Sequence, residues 1–316
     1  MKLSVVCVIG GKKMNEKRAV VFDIQRFSLN DGPGIRTIVF LKGCPLNCLW
    51  CHNPESKSQK SELMLYPAKC IGCGDCVSAC ADGLHSFGAD GQHIIDRKQC
   101  RQCGACEAAC TGAIKLCGKP MSVDEALREV MKDSVFYANS GGGLTISGGE
   151  PLMQADFTPA LLKAAKESGI HTAIETSGYA KWEVIDSLAD YVDLFLWDVK
   201  ETDSDRHKTF TGVDNTLILS NLHRLNDRGA KVVLRCPIIP GCNDREEHLE
   251  AIGRMAEELS CVERVDIEPY HPMGKSKAEA LGREYPLDDL TFPSDEAVKG
   301  WCEAVSRWTT KAVAKS

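Results

Sequence analysis

Three groups of closely spaced cysteines carry the main chemistry that this sequence can support. The first, Cys44-x3-Cys48-x2-Cys51, offers three thiols with no fourth cysteine in its loop. Three thiolates around a four-iron cluster leave one iron without a protein ligand, and an open metal position is where a substrate or cofactor binds. The alternative is a zinc knuckle with His52 as the fourth ligand, although a ring directly after Cys51 would struggle to complete a tetrahedron.

The other two groups form an internal repeat. Four cysteines at a 2-2-3 spacing begin at Cys70, and the same spacing recurs 30 residues later from Cys100. This spacing is typical of two-cluster ferredoxins, in which the fourth cysteine of each run ligates the other cluster. The usual following proline is replaced by Ala81 and Thr111. Two zinc sites are the alternative, although zinc ligand pairs normally lie further apart. The predicted ligands are Cys70, Cys73, Cys76 and Cys110 for one [4Fe–4S] cluster, and Cys100, Cys103, Cys106 and Cys80 for the second.

Composition favours metal ligation in a cytoplasmic protein. The chain has 316 residues and 17 cysteines, and it is neither small nor loop-rich like a disulfide scaffold. Its 38 basic and 44 acidic residues give a net charge of −6, which does not favour a nucleic-acid or an anionic membrane surface. The apolar run 3–9 lacks a cleavage site, and no run approaches the 18 apolar residues of a membrane span. We predict that residues 1–13 are a disordered extension or that the natural start is Met14.

The elements that must position these groups alternate between short strands and longer helices. This alternation indicates β/α units with parallel strands. Six strands are too few for a closed eight-unit barrel, so an open partial barrel and a doubly wound sheet both fit. A strand-like run at 19–24 precedes them, and a capping box of Ser122 and Glu125 predicts a helix start. The predicted strands are 35–41, 144–147, 171–175, 192–199, 231–237 and 264–268, and helices are predicted near 158–168 (Pro159 first), 182–189, 216–228, 245–259 and 295–313.

Polar residues end or follow each of the six predicted strands. Because ligands of parallel β/α proteins bind at the carboxyl ends of the strands, we expect these residues to form one site. They are Cys44; Ser147, Gly148, Gly149 and Glu150; Glu175, Thr176 and Ser177; Asp198 and Lys200; Arg235; and Tyr270 and His271.

Several other residues have no predicted function. The glycine-rich run 140–143 lacks the Gly-Lys-Ser/Thr of a phosphate loop, so we predict a flexible connector. Five histidines are expected to be solvated, namely His85, His93, His207, His223 and His248. Six cysteines without ligand spacing are expected to be ordinary thiols, namely Cys7, Cys117, Cys236, Cys242, Cys261 and Cys302.

The first cysteine loop resembles a known superfamily. Its spacing, with Trp50 directly before Cys51, is similar to the signature of radical S-adenosylmethionine (SAM) enzymes. Asp31-Gly32-Pro33-Gly34 and His52-Asn53-Pro54-Glu55-Ser56 resemble segments of the enzymes that activate glycyl radical enzymes, and the cysteine repeat resembles an insert of their longer members. The resemblance implies an α/β fold, an open partial (β/α)6 radical SAM barrel. The implied domains are an N-terminal extension at 1–18, the barrel at 19–61 and 118–316, and a two-cluster ferredoxin-like insert at 62–117.

The resemblance also implies roles for single residues. Cys44, Cys48 and Cys51 would hold a catalytic [4Fe–4S] cluster, and Trp50 and Ser177 would lie beside the cofactor. The implied SAM contacts are Gly148, Gly149 and Glu150 for the amino group, Lys200 for the carboxylate, and Arg235 and His271 on the ribose and adenine side. Asp198, Glu175 and Thr176 resemble a monovalent cation site, although Glu175 stands where aspartate is common. Asp31 resembles a contact to the partner's glycine-bearing peptide.

The implied reaction is oxidoreductase chemistry on a partner protein. Electrons from a flavodoxin or ferredoxin would pass through the insert, and reductive cleavage of SAM would give a 5′-deoxyadenosyl radical that removes a glycine Cα hydrogen. The partner would be a glycyl radical enzyme with a C-terminal Arg-Val-x-Gly loop, acting on glycerol, choline, isethionate, hydroxyproline, hydroxyphenylacetate or a related substrate. We expect a monomer. The alternatives are a radical SAM enzyme for another peptide or a small molecule, and a ferredoxin-type electron carrier.

Overall fold

The computed structural model describes residues 17–316, so most of the predicted extension lies outside the described residues. These residues contain thirteen strands and eleven α-helices. The strands are β1 (Arg18–Ser28), β2 (Arg36–Leu41), β3 (Glu62–Leu65), β4 (His85–Phe87), β5 (His93–Ile95), β6 (Ile114–Cys117), β7 (Lys119–Ser122), β8 (Gly143–Gly148), β9 (His171–Thr176), β10 (Leu194–Asp198), β11 (Val232–Ile238), β12 (Val262–Pro269) and β13 (Ala312–Lys315). The helices are α1 (Asp75–Ala79), α2 (Ala105–Ala109), α3 (Val123–Met131), α4 (Ser134–Ser140), α5 (Phe157–Glu167), α6 (Trp182–Ala189), α7 (Ser204–Thr211), α8 (Thr216–Asp227), α9 (Glu246–Glu258), α10 (Met273–Ala280) and α11 (Asp295–Ser306).

Nine strands form one sheet in the order β13-β12-β11-β10-β9-β8-β2-β1-β7. The six predicted strands are all present as β2, β8, β9, β10, β11 and β12, and they pair with one another in parallel. On one edge β1 pairs antiparallel with both β2 and β7, and on the other β13 adds a further parallel strand. The order is linear, so the carboxyl ends of the central strands form one edge on which a site can be built.

The side chains of the central strands point alternately to the two faces of the sheet, and both faces are buried, so these strands are apolar throughout. Ile174, Phe195 and Leu234 belong to the large core that the helices cover. The residues next to them, such as Ala173 and Leu196, belong to a separate buried cluster. Successive side chains of a strand point to opposite faces, so the sheet buries apolar residues on both of its faces.

Local sequence signals set several element ends correctly, but not all of them. Ser122 caps α3, and Glu125 completes the predicted capping box. Pro159 is the third residue of α5 rather than the first. The helix predicted at 295–313 begins at Asp295 as predicted, but its predicted end is wrong, because α11 ends at Ser306 and the chain continues as β13. Helices α1, α2, α4, α7 and α10 were not predicted, and all of them are short, with five to eight residues each.

The second half of the glycine-rich run 140–143 is tightly packed, so the predicted flexible connector is wrong for Gly142 and Gly143. Gly141 ends α4 with a φ of 70°. A Cβ on Gly142 would lie 1.9 Å from the carbonyl oxygen of Ile35, and one on Gly143 would lie 1.9 Å from that of His171. These glycines therefore allow the backbones at the start of β2, β8 and β9 to approach each other closely.

The cysteine repeat lies in a small unit between β2 and β7. Strands β3 and β6 pair antiparallel, and Glu62 lies opposite Cys117, which brings the two ends of the unit together. Helices α1 and α2 begin after Gly74 and Gly104, whose φ angles are 82° and 78°, so the repeat in sequence is a repeat in backbone shape. The domain boundaries at 62 and 117 stay a prediction that this pairing supports.

Within residues 17–316, none of the helices is both long enough and apolar enough to span a lipid bilayer.

Two adjacent glycines allow a test of this packing. We expect Gly142→Ala to lower the free energy of unfolding by about 3 kcal/mol or more, because a backbone would have to move. Gly141→Ala is the matched control, since only its positive φ opposes the substitution, and we expect a loss of about 1 kcal/mol. Denaturant unfolding of the two apoproteins checks this. Equal losses in both variants would contradict the close approach.

Candidate active site

A cavity of about 700 Å³ lies at the carboxyl ends of the parallel strands. It brings together residues that the sequence predicted from six different strand ends. These are Cys44, Cys48, Trp50, Cys51, Ser147, Gly148, Gly149, Glu175, Ser177, Asp198, Lys200, Arg235, Tyr270 and His271, and Asp31 joins them from the β1–β2 loop. Glu150 and Thr176 are buried behind this lining.

The cysteine loop is held in place by the end of α7. The backbone N–H of Asn47 donates to the carbonyl of Thr211 at 2.7 Å, and that of Leu49 donates to Phe210 at 3.0 Å. Trp50 is buried and packs on the ring of Phe210, with 5.6 Å between the ring centroids. Trp50 therefore supports the loop from behind as well as lining the cavity.

The three thiols of this loop are half-buried in the wall of the cavity, and partial removal from water disfavours the thiolate. It raises the pKa of Cys48 to about 11, although the nearby Lys200 opposes the shift. Burial also raises the pKa of Cys44 and of Cys51. Thiolates are the form that binds metals. A bound cluster would therefore have to offset the free-energy cost of deprotonating these thiols, which the protein alone does not offset. Because three free thiols line one cavity, their chemistry fits a metal centre with thiolate ligands.

The zinc-knuckle alternative finds no support in the geometry. Four ligands around zinc place thiolate sulfurs about 3.8 Å apart, and among residues 17–316 the three sulfurs do not form a group within 4.8 Å. The ring of His52 instead packs edge-on against His271, with 3.9 Å between the ring centroids. Cys117 also lines the cavity, but its charged neighbours are Lys42, Glu55 and Glu62 rather than the three thiols.

The Gly148–Glu150 turn packs directly on the backbone before the cysteine loop. A Cβ on Gly148 would lie 2.3 Å from Leu41, and one on Gly149 would lie 2.3 Å from the carbonyl oxygen of Gly43. The N–H of Gly149 donates to Leu41 at 2.8 Å, and the N–H of Glu150 donates to Gly43 at 2.7 Å. The glycines are required because the two chain segments touch through their backbones.

Glu150 points into the protein rather than into the cavity. Its carboxylate accepts bonds from the Thr176 hydroxyl (2.6 Å), the Leu152 N–H (3.1 Å), and the N–H (2.9 Å) and hydroxyl (2.6 Å) of Ser177. Four bonds satisfy both oxygens, so Glu150 positions the turn after β9. Its direct contact with the SAM amino group stays a prediction, and the adjacent Gly148 and Gly149 are the part of the motif that lines the cavity.

Arg235 forms the centre of a buried charged group. Its guanidinium lies 3.3 Å from Asp31, 3.4 Å from Glu175 and within ion-pair contact of Glu268. Asp198 pairs with Lys200 at 2.9 Å on the neighbouring strand. Four carboxylates against two cations give this wall an excess of negative charge when all are ionised, which suits a ligand with a net positive charge.

Two residues of this site were not predicted from the sequence. Glu268 lies at the carboxyl end of β12, so the strand-end argument that selected His271 would also have found it. Asn243 is fully buried, and its amide donates to the carbonyl of Lys200 at 2.8 Å and to that of Pro237 at 2.7 Å. Asn243 therefore fixes the segment that carries Lys200, but it lies in a loop and has no sequence pattern that marks it.

The predicted cysteine ligands of the repeat face each other across the two halves. Cys70, Cys73, Cys76 and Cys110 line one cavity, as expected if the fourth cysteine of one run completes the other set. In the second set, burial raises the pKa of Cys106, and the neighbouring thiols of Cys100 and Cys80 raise it further, so these three cysteines lie near one another.

The prediction that five histidines are solvated is wrong for four of them. His85, His93, His207 and His248 are buried, and His223 is exposed. In the β4–β5 hairpin, alternation turns His85 and His93 to the same inner face. A ring nitrogen of His93 lies 3.6 Å from the sulfur of Cys76, and His85 lies 3.0 Å from His93. Ligand atoms of these three residues all fall within 4.8 Å, so they could also hold a single metal ion.

A pH dependence follows from the charged group. Burial raises the pKa of Glu268 to about 7, with Arg235 opposing the shift. Below that pH the carboxyl is protonated, and above it the cavity gains a negative charge. SAM carries a net positive charge, so we expect its affinity for the reconstituted protein to rise severalfold between about pH 6 and pH 8. Anaerobic equilibrium dialysis measures this, and Glu268→Gln should flatten the profile. If the affinity for SAM changes with pH in Glu268→Gln as it does in the wild type, another group is responsible for the titration.

Comparison with known proteins identifies the family of this chain. Residues 96–252 match the family described as the Radical SAM superfamily, and residues 30–85 match the 4Fe-4S single cluster domain. The isethionate sulfite-lyase activating enzyme of Oleidesulfovibrio alaskensis is 43% identical over 293 residues, which cover 90% of this chain and 94% of that protein. The benzylsuccinate synthase activating enzyme of Thauera aromatica is 45% identical over 274 residues, which cover 84% and 83% of the two chains.

A solved structure shares the fold. Streptococcus suis SuiB bound to its precursor peptide SuiA superposes with a TM-score of 0.52 at 17% identity, over 88% of this chain and 48% of that chain. Identity this low supports the fold alone. The relatives above carry the functional relationship, and they confirm the resemblance that the cysteine loop indicated. The chain belongs to the radical SAM enzymes that activate glycyl radical enzymes.

Proposed function

We propose that Cys44, Cys48 and Cys51 hold the [4Fe–4S] cluster at which this activating enzyme cleaves SAM. The observation that carries the proposal is that these three free thiols line one cavity together with the polar ends of the neighbouring parallel strands. When bound, SAM and the reduced cluster supply a 5′-deoxyadenosyl radical, which removes a Cα hydrogen from a glycine of the partner enzyme. The chain itself binds and orients the reactants and keeps water away from them.

The strand ends beside the cysteine loop supply groups for SAM. Lys200 is half-buried, lies near Cys48 and pairs with Asp198, so its ammonium suits the carboxylate of a ligand held close to the cluster. Gly148 and Gly149 allow a ligand to approach the backbone closely. His271 lines the cavity with a buried Nδ1 that has no hydrogen-bond partner within the described chain, which fits a polar group on the ribose or adenine side.

The remaining contacts are proposed only from the positions of the residues in the cavity. Ser177 and Arg235 line the same cavity and complete the proposed SAM surface, and Asp31 lies beside Arg235 where a glycine-bearing peptide would end. The monovalent cation beside Asp198 and Glu175 stays a prediction, because the cations of Lys200 and Arg235 already lie next to these two carboxylates.

We further propose that the insert holds two [4Fe–4S] clusters that relay electrons from a flavodoxin or ferredoxin. The crossed arrangement of the two cysteine runs supports this ligand assignment. The relatives are named for isethionate sulfite-lyase, benzylsuccinate synthase and 4-hydroxyphenylacetate decarboxylase, so glycyl radical enzymes of these kinds are the candidate partners. A monomeric state remains a prediction.

The reaction can be tested directly. Reconstituted under anaerobic conditions, the protein should form 5′-deoxyadenosine from SAM and produce a glycyl radical doublet in the electron paramagnetic resonance spectrum of a partner. Cys48→Ala should abolish both signals, whereas Cys302→Ala, a half-buried thiol outside the three groups, should leave them unchanged. Deuterium carried from a glycine-labelled partner into 5′-deoxyadenosine identifies the abstracted hydrogen. A doublet that persists in Cys48→Ala would refute the assignment.

The cluster count can be tested by iron analysis. Three four-iron clusters require about 12 irons per chain. We expect Cys110→Ala to lose about four irons, because Cys110 is assigned to one cluster. His85→Ala should keep the full count, whereas a single metal ion bound by Cys76, His85 and His93 would depend on His85. Loss of iron in His85→Ala, with full retention in Cys110→Ala, would reverse the ligand assignment.

The relay has its own test. Cys73→Ala should stop activation when electrons come from a flavodoxin, because Cys73 is assigned to the insert and not to the SAM site. A strong chemical reductant can reach the catalytic cluster directly and should restore SAM cleavage. Normal activity of Cys73→Ala with the protein donor would contradict the relay.

A further inference from the structure

The active-site cavity extends beyond the proposed SAM surface towards the insert. This part of it, the insert-side lobe, is lined by Phe22, Gln25, Phe40, Met64, Tyr66 and Lys115. The first three come from β1 and β2, and the last three come from β3, its following residue and β6. The insert therefore forms one wall of the cavity in which the chemistry takes place.

The two faces of the β3–β6 hairpin have different neighbours. Leu63, Leu65 and Ile114 pack in one core with the cluster-ligand candidates Cys76 and Cys106. Met64 and Lys115 lie directly opposite each other in the register, and they face the cavity on the other side. Because successive side chains point to opposite faces, one face of the hairpin packs against the proposed clusters and the other face lines the cavity. The hairpin is therefore a single layer between the two.

The insert-side lobe runs from the surface to the cysteine loop. Lys115 is exposed and Tyr66 is half-buried, whereas Met64 is only 3% exposed. Further in, Glu55 follows the cysteine loop and also lines the cavity. A segment that enters at Lys115 and Tyr66 would therefore reach the proposed cluster without crossing the sheet.

One buried group in this cavity lacks a partner. Glu55 is only 6% exposed, and one of its carboxylate oxygens pairs with Lys277 at 3.2 Å. The other oxygen is fully buried and accepts no hydrogen bond from the described residues. A buried carboxylate oxygen is costly when it is unpaired, so a donor such as a backbone N–H or a guanidinium is expected beside it.

We propose that the insert-side lobe receives the glycine-bearing loop of the partner enzyme, with Tyr66 and Lys115 of the insert contacting it. This rests on the proposed function and adds a second role for the insert. The lobe combines aromatic and apolar side chains with an amide and a cation, and the unpartnered carboxylate oxygen of Glu55 lies further in along the same cavity. This mixture suits a polypeptide with its alternating backbone and side-chain groups. The insert would then influence which partner is accepted as well as how electrons arrive.

The test uses the reconstituted full chain and a synthetic peptide. The peptide contains Arg-Val-Ala-Gly, and its glycine carries deuterium at Cα. The measured quantity is the peptide concentration that gives half-maximal transfer of deuterium into 5′-deoxyadenosine. We expect Tyr66→Ala and Lys115→Glu each to raise this concentration about tenfold, the equivalent of about 1.4 kcal/mol of binding free energy. Peptide-independent cleavage of SAM with a chemical reductant, and the iron content, should stay at the wild-type level.

The control is Lys98→Glu, the same charge reversal at an exposed residue of the insert that does not line the cavity. It should leave the half-maximal concentration unchanged. If Tyr66→Ala and Lys115→Glu behave like this control, the insert does not contact the peptide and the proposal is overturned. If the wild-type protein transfers no deuterium from the peptide, the failure instead counts against the proposed function. Loss of iron in a variant would show up separately as damage to the insert.

Discussion

The buried guanidinium of Arg235 is the interaction on which the arrangement of this site depends. A charge in this position is stable only if carboxylates surround it, and those carboxylates are stable only if the cation is present. They come from different parts of the chain, since Asp31 lies in the β1–β2 loop, Glu175 in β9 and Glu268 in β12. The same group of charges therefore joins the first loop of the sheet to three of its parallel strands.

Around this centre, backbone contacts fix the distance between the ligand-binding segments. The Gly148–Glu150 turn lies directly on residues 41–43, and residues 47–49 are bonded to the end of α7. These contacts leave the cysteine loop little freedom relative to the wall that carries Lys200. Glu150 and Asn243 add to this from behind, because each satisfies its polar atoms within the chain and holds a segment that reaches the cavity. Placing reactants precisely in a radical reaction requires a site that is already formed before they bind.

The sequence was sufficient for features that follow from local periodicity or from ligand spacing. All six parallel strands could be predicted because long apolar runs between helical segments are typical of a sheet covered on both faces. The residues at their carboxyl ends could be predicted because parallel strands share one edge. The strand β13 could not be predicted, since its four residues follow α11 closely and carry no alternating pattern of their own. The burial of His85, His93, His207 and His248 could not be predicted either, because the contacts that enclose them are made by residues distant in sequence or by short irregular turns.

The β3–β6 hairpin has a consequence for how this protein would respond to oxygen. A two-stranded sheet is marginally stable by itself, so its order depends on the cores that pack against its two faces. One of those cores contains the thiols assigned to the clusters of the insert, and the other face lines the cavity. Oxidative loss of a cluster would remove the support from behind the wall, and the surface in front of it would loosen at the same time. Loss of a proposed cluster would therefore impair both the transfer of electrons and the proposed binding of the partner's loop.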